Sequence, residues 1–306
     1  MENLKPMISC HRYRPSAVLK VTGEDAFLFL QGQFTQDLQP CLKGESFAYG
    51  LWLNQKGKVL GDSFVLRSGD SWLCMSVHSA ADVIRERLEA YVIADDVTIE
   101  DVTSSWTGMA AWGEAAGEAL VGKVGRIPTS PSGLIETAGG FIFEGRRAKG
   151  PSWEWLYPAV AEAATAGLGA SEVGFEDMER LRIAAGIPSV PRDIGPEDLP
   201  NEGGLERDAI SYSKGCYLGQ EVMARLKTMG QVRRRLMVVE GSSALPAKLP
   251  ATLFADGKKL GELRSAVRMG DGFIGLAMIS LLAMTGRPLL SFSPEGVANI
   301  VIKNER

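Results

Sequence analysis

The chain has 306 residues, which is long enough for two or three domains with hydrophobic cores of their own. Hydrophobic residues make up 45% of it and charged residues 23%, values that are ordinary for a globular protein. The 33 Lys and Arg residues against 37 Asp and Glu give a formal net charge of −4, which argues against a chain coated with nucleic acid but leaves room for a local basic patch.

Residues that commonly bind metals are few. The four cysteines are Cys10, Cys41, Cys74 and Cys216. No two of them have a metal-ligand spacing such as C-x-x-C, and with only His11 and His78 we expect no metal site. The N-terminus lacks the apolar core of a signal peptide, and no apolar run approaches the length of a membrane span. The sequence therefore predicts a cytoplasmic protein with no membrane partner.

The first hundred residues predict alternating strands and helices. Residues 17–23 predict a strand, residues 24–34 a short helix and residues 80–93 an amphipathic helix. Between the helices, short apolar runs separated by the turns QKGK and RSGD predict a strand meander. Residues 95–103 return to the alternation of a strand.

The middle of the chain continues this pattern less regularly. TGMAAWG and GGFIFEG predict strands, and the Ala-rich residues 158–169 predict a helix. Residues 175–185 predict a further helix, which Gly186 and Pro188 end. The segment after it is rich in Pro, Gly and acidic residues and runs into an unusual cysteine motif, so we predict that this long loop is functional.

From Arg233 onward the pattern changes to short strands joined by turns. The predicted strands lie in RRRLMVVEG, ATLFADGKKLGELRSAV, GFIGLAMISL, PLLSFS and VANIVIK, with ADGK as a hairpin turn. Helical periodicity is nearly absent here. We therefore predict an α/β region over residues 1–232 and a C-terminal β-barrel over residues 233–306.

The segment SYSKGCYLGQEVMAR, residues 211–225, contains the most distinctive cysteine. Gly215 and Gly219 allow a positive φ or a close backbone approach, and the residues after them predict a helix. Cys216 precedes that helix and lies near Lys214, so the helix dipole and nearby cations favour a thiolate. The alternative is a buried structural cysteine, which is the interpretation we favour for the other three cysteines.

The motif KGCYLGQE followed by Arg225 resembles the signature of the YgfZ family, a branch of the folate-binding superfamily that includes the glycine cleavage T-protein. Its remaining members here are Gly215, Tyr217, Gly219, Gln220 and Glu221. Other stretches with the same resemblance are VTGEDAFLFLQGQFTQDL, NQKGKVLGDSFVL, LRIAAGIP and LPNEGGLE.

The resemblance implies an α+β, T-protein-like ring of three domains, with two interleaved ferredoxin-like domains, a C-terminal β-barrel and folate in the central opening. It also implies an accessory role in the assembly or repair of iron–sulfur clusters, supporting cluster-dependent enzymes that include tRNA-modifying ones. The implied cofactor is tetrahydrofolate or a derivative, and the implied partners are iron–sulfur proteins or cluster assembly factors. Cys216 is the implied reactive residue, with Lys214 beside it.

At the positions that contact folate in T-proteins, this chain has only some of the same residue types. By resemblance, Asp62, Arg182 and Glu202 match positions at the folate cavity, although Arg182 could be a solvated helix residue and Glu202 a solvent-facing one. Ala184 stands where T-proteins have a carboxylate for the pterin edge. Because T-proteins also lack KGCY, the alternative function, a tetrahydrofolate-dependent aminomethyltransferase, is disfavoured.

Two further questions stay open at this stage. The cations between positions 214 and 235 could bind RNA or the polyglutamate tail of folate: Lys214, Arg225, Lys227, Arg233, Arg234 and Arg235. Cys216 could be a nucleophile, a redox group or a transient cluster ligand. A stable cluster normally has four protein ligands, so a cluster on Cys216 would need ligands from a partner.

Overall fold

The computed structural model describes residues 8–138, 140–161, 168–286 and 288–303. Within these ranges the chain forms three β-sheets and five α-helices. The helices are α1 (Ala26–Gln33), α2 (Ala81–Glu89), α3 (Ala116–Val124), α4 (Phe175–Ala184) and α5 (Gln220–Met229). The strands are β1 (Ser9–Tyr13), β2 (Ala17–Thr22), β3 (Phe47–Leu53), β4 (Val59–Ser68), β5 (Ser71–Ser76), β6 (Thr98–Asp101), β7 (Trp106–Trp112), β8 (Leu134–Thr137), β9 (Gly140–Glu144), β10 (Ser152–Pro158), β11 (Ser171–Glu172), β12 (Arg234–Gly241), β13 (Ala251–Ala255), β14 (Lys258–Met269), β15 (Gly272–Ser280) and β16 (Ile300–Ile302).

The first sheet is antiparallel and has the strand order β3-β4-β5-β2-β6; its edge strand β6 is mostly exposed, and the other four strands are mostly buried on both faces. Successive side chains of a strand point to opposite faces. Accordingly, Leu19 packs with helices α1 and α2, whereas its neighbour Val18 packs into the larger core on the opposite face. Because both faces are covered, all seven residues of β3 are buried, and the segments that cross this sheet are held in fixed positions.

The second sheet, with the order β11-β1-β7-β10-β9-β8, takes its second strand from the start of the chain. Strand β1 pairs antiparallel with β7, from Ser9 opposite Trp112 to Tyr13 opposite Gly108. The chain then leaves this sheet, builds the first sheet and returns. The predicted interleaving of two α/β units is therefore confirmed, and a bridge between Ser46 and Gly133 joins the two sheets.

The third sheet lies in the C-terminal part of the chain and curls upon itself, in the order β13-β14-β15-β12-β16. Two isolated bridges connect its edge strands: Phe254 of β13 pairs with Ser291, and Ile300 of β16 pairs with Leu290. Residues 290–291 thus join both edges of the sheet and give it the form of a small barrel. The fold class predicted from the sequence, α+β with a C-terminal barrel, is confirmed.

The local predictions differ from the structure in few places. The four helices predicted around α1, α2, α4 and α5 are confirmed; α1 and α2 are a few residues shorter than predicted, and α4 and α5 agree within one residue. The ADGK turn is confirmed, since Asp256 and Gly257 have φ values of 48° and 74°, as a type I′ turn requires. The strand predicted in PLLSFS is wrong, because that segment pairs only through its two isolated bridges. Six of the twelve residues in the helix predicted over 158–169, residues 162–167, lie outside the described residues.

The long segment between α4 and α5 is ordered by its own apolar side chains. Ile183 of α4 packs against the barrel, beside Ile274 and Leu276. Farther along, Val190, Ile194, Leu205, Ala209 and Ile210 enter the core of the first sheet. This anchoring brings the cysteine motif to the edge of that core. No helix among the described residues has both the length and the apolar character that crossing a membrane requires.

Candidate functional site

The cysteine motif lies against the QGQFTQ segment, residues 31–36, which comprises the last three residues of α1 and the three residues after it. Thr35 Oγ1 donates to the carbonyl of Ala209 at 2.6 Å, and the amide of Ser211 donates to the carbonyl of Thr35 at 2.9 Å. Farther along, the amide of Leu218 donates to the carbonyl of Gly32 at 3.2 Å. Two segments that are about 180 positions apart in sequence are thus paired by backbone hydrogen bonds.

Lys214 occupies the centre of this contact. Its ammonium donates to the carbonyls of Gln31, Phe34 and Gln36, at 2.6, 2.7 and 3.1 Å. A helix end leaves its last carbonyls without intrahelical donors, and a lysine there also complements the helix dipole. Burial lowers the pKa of Lys214 to about 8, while the charge of Asp37 acts in the opposite direction.

Cys216 is exposed, whereas the other three cysteines are buried; all four lie in the described part of the chain. Burial raises the pKa of Cys41 and of Cys74 to about 12, and it also raises that of Cys10. The three buried thiols therefore stay protonated and inaccessible at neutral pH. The alternative of a buried structural cysteine is wrong for Cys216 and correct for the others.

The two glycines of the motif differ in their surroundings. Gly219 has a φ of 86°, and a Cβ there would lie 3.1 Å from the carbonyl oxygen of Asn54, so both predicted reasons for a glycine are confirmed. Gly215 has neither a positive φ nor a close neighbour, and the prediction is wrong at that position. Gly219 thereby brings the motif onto the turn of the NQKGK segment.

Helix α5 begins at Gln220, immediately after the motif's second glycine. Its buried side is made by Met223, with Val222 and Leu226 partly buried beside it. Glu221 and Arg225 form an exposed pair at 2.9 Å, the ordinary surface interaction expected for their spacing. Tyr217 is buried, and its ring centroid lies 5.3 Å from the Lys214 ammonium nitrogen. Cys216 is therefore held between an anchored lysine and an anchored helix.

Arg182, predicted as a folate contact, is buried in an ion-pair cluster inside the protein. It donates twice to Glu179, at 2.8 Å each, once to Asp193 at 2.7 Å, and also to the carbonyl of Ile187 and the hydroxyl of Ser265. The alternative that it is a solvated helix residue is wrong, since its side chain is only 3% exposed. These bonds join α4, the loop after it and barrel strand β14.

Glu202 is likewise buried and fully paired. Its two carboxylate oxygens accept from the guanidinium of Arg234 at 2.9 Å each, and one of them accepts from the amide of Leu199 at 2.8 Å. The alternative of a solvent-facing Glu202 is therefore wrong. This pair attaches the loop before the cysteine motif to barrel strand β12.

Asp62 lies in a cluster of hydroxyl groups that the sequence did not predict. Its carboxylate accepts from Tyr49 at 2.8 Å, Ser76 at 3.0 Å and Ser79 at 2.7 Å. Burial raises the pKa of Asp62, and these hydrogen bonds oppose that rise. The guanidinium of Arg146 lies 4.0 Å from the centre of the Tyr49 ring.

The outer side of Tyr49 lines a cavity of about 620 Å³ at the junction of the first two sheets, which we call the Tyr49 cavity. Arg146 crosses it and pairs with Asp208. Gln36, whose carbonyl binds Lys214, lines the same cavity. These residues come from distant segments, so no spacing in the sequence could have indicated the cavity.

A second cavity, of about 840 Å³, lies beside the end of α4 and is mostly apolar; we call it the Ala184 cavity. Trp112, Trp153 and Leu181 form its walls with Ala184, and Lys149 is at its edge. The position at which T-proteins have the pterin-binding carboxylate therefore faces a cavity of ligand size.

Tetrahydrofolate does not fit the three residues predicted to bind it. The polar atoms of Arg182 and Glu202 are already used by internal partners, and Asp62 is enclosed by three hydroxyl donors. A folate held by this chain would need other residues. The Ala184 cavity provides two indole side chains as walls, which fits a flat ring, and its charged lining residues are Lys149, Glu114 and Glu118.

The cations of the motif region do not form a continuous basic surface. Lys227 lies over the ring of Tyr212 at 4.3 Å, Arg225 pairs with Glu221, and Arg234 pairs with Glu202 and Asp198. Among the described residues there is also no group of three or more His, Cys, Asp or Glu side chains able to hold a metal ion. Cys216 is thus a single accessible thiol on this chain.

Two family models match the chain. The GCVT N-terminal domain matches residues 15–133, and the CAF17 C-terminal beta-barrel domain matches residues 233–303. Among solved structures, the glycine cleavage system aminomethyltransferase T from Bartonella henselae has a TM-score of 0.77 at 18% identity, covering 98% of this chain and 86% of that one. That likeness shows the fold.

Curated relatives align with most of the chain. The human mitochondrial iron-sulfur cluster assembly factor IBA57 is 29% identical over 295 residues, covering 89% of this chain and 77% of that protein. The tRNA-modifying protein YgfZ of Escherichia coli O157:H7 is 26% identical over 276 residues, covering 86% and 82%. The IBA57 homolog of Cryptococcus neoformans is 28% identical over 250 residues, covering 73% of this chain and 64% of that protein.

Proposed function

Because the chain belongs to the family of YgfZ and IBA57, which is related to the T-protein, we propose that it is an accessory protein in iron–sulfur cluster assembly or repair. The observation that carries the proposal is the exposed thiol of Cys216, in a motif that hydrogen bonds and packing fix against the QGQFTQ and NQKGK segments. A fixed and accessible thiol can contact a cluster or a partner protein.

The chemistry available at this site is that of one thiol. Cys216 precedes helix α5 and its side chain is exposed, so its sulfur is available to a partner as a ligand or nucleophile. A cluster normally needs four ligands, and the described residues contain no group of three or more His, Cys, Asp or Glu side chains that could hold a metal ion. We therefore propose that a partner protein or an external thiol supplies the remaining ligands.

The test of this proposal is complementation of a strain that lacks its own copy of the gene, with the activity of a cluster-dependent enzyme as the readout. Cys216→Ser should lose the support that the native protein gives. The matched control is Ser213→Ala, an exposed position on the same loop, which should retain it. Full support by Cys216→Ser at equal protein levels would refute the role of the thiol.

The aminomethyltransferase alternative rests on the fold alone. The solved aminomethyltransferase is a structural relative at 18% identity, whereas cluster assembly is what the names of the IBA57 relatives state. In this chain, Ala184 provides no carboxylate, and Arg182 and Glu202 have internal partners.

The relatives named as tRNA-modifying support an indirect link to tRNA modification, through enzymes that depend on clusters. The cytoplasmic location stays a prediction.

We also propose that the protein binds tetrahydrofolate or a derivative, in the Ala184 cavity. The support is its volume, its two tryptophan walls and its position beside the residue that replaces the T-protein carboxylate. Calorimetric titration with tetrahydrofolate should show saturable binding, which Trp153→Ala should weaken by about tenfold or more through the loss of ring contact. Val297→Ala, exposed on the barrel, is the control. Absence of binding to the native protein would refute this part.

A further inference from the structure

We propose that Lys214 is a positioning residue: its ammonium binds the end of helix α1 and thereby fixes the loop that carries Cys216. This inference rests on the proposed function of Cys216 and replaces the role beside the thiol that the sequence suggested for Lys214. Three backbone carbonyls, those of Gln31, Phe34 and Gln36, converge on the nitrogen within 3.1 Å. An ammonium has three N–H donors, so all of its donors are used.

The chemistry of this contact accounts for the residue type. The carbonyls at the end of α1 lack intrahelical donors, and they are oriented toward one point that a single small cation can occupy. The planar guanidinium of an arginine directs its donors outward from several nitrogens and cannot bring three of them to that point. A neutral side chain of the same length would leave buried carbonyls without a donor.

The consequence for Cys216 follows from the second attachment of the loop. The amide of Leu218 donates to the carbonyl of Gly32, two residues before Phe34 at the end of α1. Cys216 lies midway between Lys214 and Leu218, so both flanks of the thiol are held on the same helix end. Since the lysine nitrogen is directed into the carbonyls, its effect on the thiol is geometric.

The test compares three variants by amide hydrogen exchange at Leu218 and by the rate at which iodoacetamide alkylates Cys216. Lys214→Met should raise the exchange rate of the Leu218 amide by about tenfold or more, since a charged hydrogen-bond donor is lost. Its alkylation rate should stay within about twofold of the native rate, because the thiol is already exposed. Support of a cluster-dependent enzyme should fall toward that of Cys216→Ser.

The controls separate charge from position. Lys214→Arg keeps the charge and should not restore slow exchange at Leu218. Lys227→Met removes a cation that lies over Tyr212 and should leave that exchange unchanged. Alkylation slowed by about fivefold or more in Lys214→Met, with exchange at Leu218 unchanged, would show that the lysine acts on the charge of the thiol. Native behaviour of Lys214→Arg would equally overturn the proposal.

The native protein provides a second measurement if the variants do not fold. The charged or titratable groups that face Lys214 are Asp37 and the buried Tyr217, whose own pKa burial raises. As pH rises through about 8, the ammonium loses a proton and one carbonyl loses its donor. The hydrogen-exchange rate of the Leu218 amide should then increase with pH more steeply than the base-catalysed exchange of an unperturbed amide. If Cys216→Ser retained full support while Lys214→Met loosened the loop, the proposed function would fail and the positioning role would stand.

Discussion

Removing Arg182 should destabilise the folded protein, because its side chain forms internal ion pairs and is not free to bind a ligand. The side chain is 3% exposed and makes two bonds to Glu179 and one to Asp193, besides its bonds to a carbonyl and to Ser265. Arg182→Met keeps the length of the side chain but leaves two buried carboxylates short of a cation. Breaking one partner of such a buried pair costs about 3–5 kcal/mol of unfolding free energy.

Part of that loss is limited by contacts that remain. Glu179 keeps its pair with Arg192, and Asp193 keeps its hydrogen bond from the amide of Ser189 at 2.9 Å. We therefore expect the free energy of unfolding to fall by about 3 kcal/mol. Urea denaturation of the native protein and the variant measures it. The control is Arg180→Met on the same helix, where an exposed pair with Asp177 at 3.1 Å should cost less than about 1 kcal/mol. Equal losses in the two variants would refute the reasoning.

The pH dependence of this cluster provides an independent check. Burial alone would raise the pKa of Glu179. The hydrogen bonds and charges of Arg182 and Arg192 outweigh that effect and lower this pKa to about 2. The stability from Glu179 is therefore present above its unfolded pKa of about 4.5 and is lost as pH falls toward about 2. Arg182→Met should lose less stability than the native protein over that range of pH.

Three further predictions concern other parts of the molecule. Burial and the nearby Arg147 charge lower the pKa of His78 to about 3, against 6.5 in the unfolded chain. Unfolding should therefore become easier by about 2 kcal/mol between pH 7 and pH 5, as the unfolded state binds a proton, and His78→Gln should lose that dependence in denaturation curves. Gly219→Ala should cost about 1–2 kcal/mol, from its φ of 86° and the close Asn54 oxygen, measured in urea. Mass spectrometry after brief alkylation of the native protein should find the label on Cys216 alone; early labelling of a buried cysteine would contradict the burial described here.

The sequence predicted those features that depend on local pattern. Helical periodicity identified α4 and α5, and the ADGK segment identified the hairpin turn at Asp256 and Gly257. The exposure of Cys216 agreed with the interpretation of its motif. These features need only neighbouring residues, because periodicity, helix ends and turn conformations are properties of short segments.

Features that depend on distant partners were not predictable. The acceptors of Lys214 lie about 180 positions away, so the sequence suggested an electrostatic role beside the cysteine and gave no sign of its hydrogen bonds to α1. Arg182 pairs with Asp193 and with Ser265 of the barrel, neither of which its helix reveals. Arg87 lies in the amphipathic helix predicted over residues 80–93, yet it is buried and donates to the carbonyl of Leu53 at 2.8 Å, a partner that the helix pattern does not reveal.

The pairing of β1 with β7 limits which fragments of the protein can be expressed as folded units. A fragment of residues 15–133 would contain the whole first sheet but only β7 of the three strands β1, β7 and β10 that form the middle of the second. Expressed alone, it would expose both edges of β7 to aggregation. During synthesis the N-terminal strand must likewise wait until more than a hundred residues have emerged before its partner is available. We therefore expect the two α/β units to fold together, and studies of either should keep residues 9–13 joined to both.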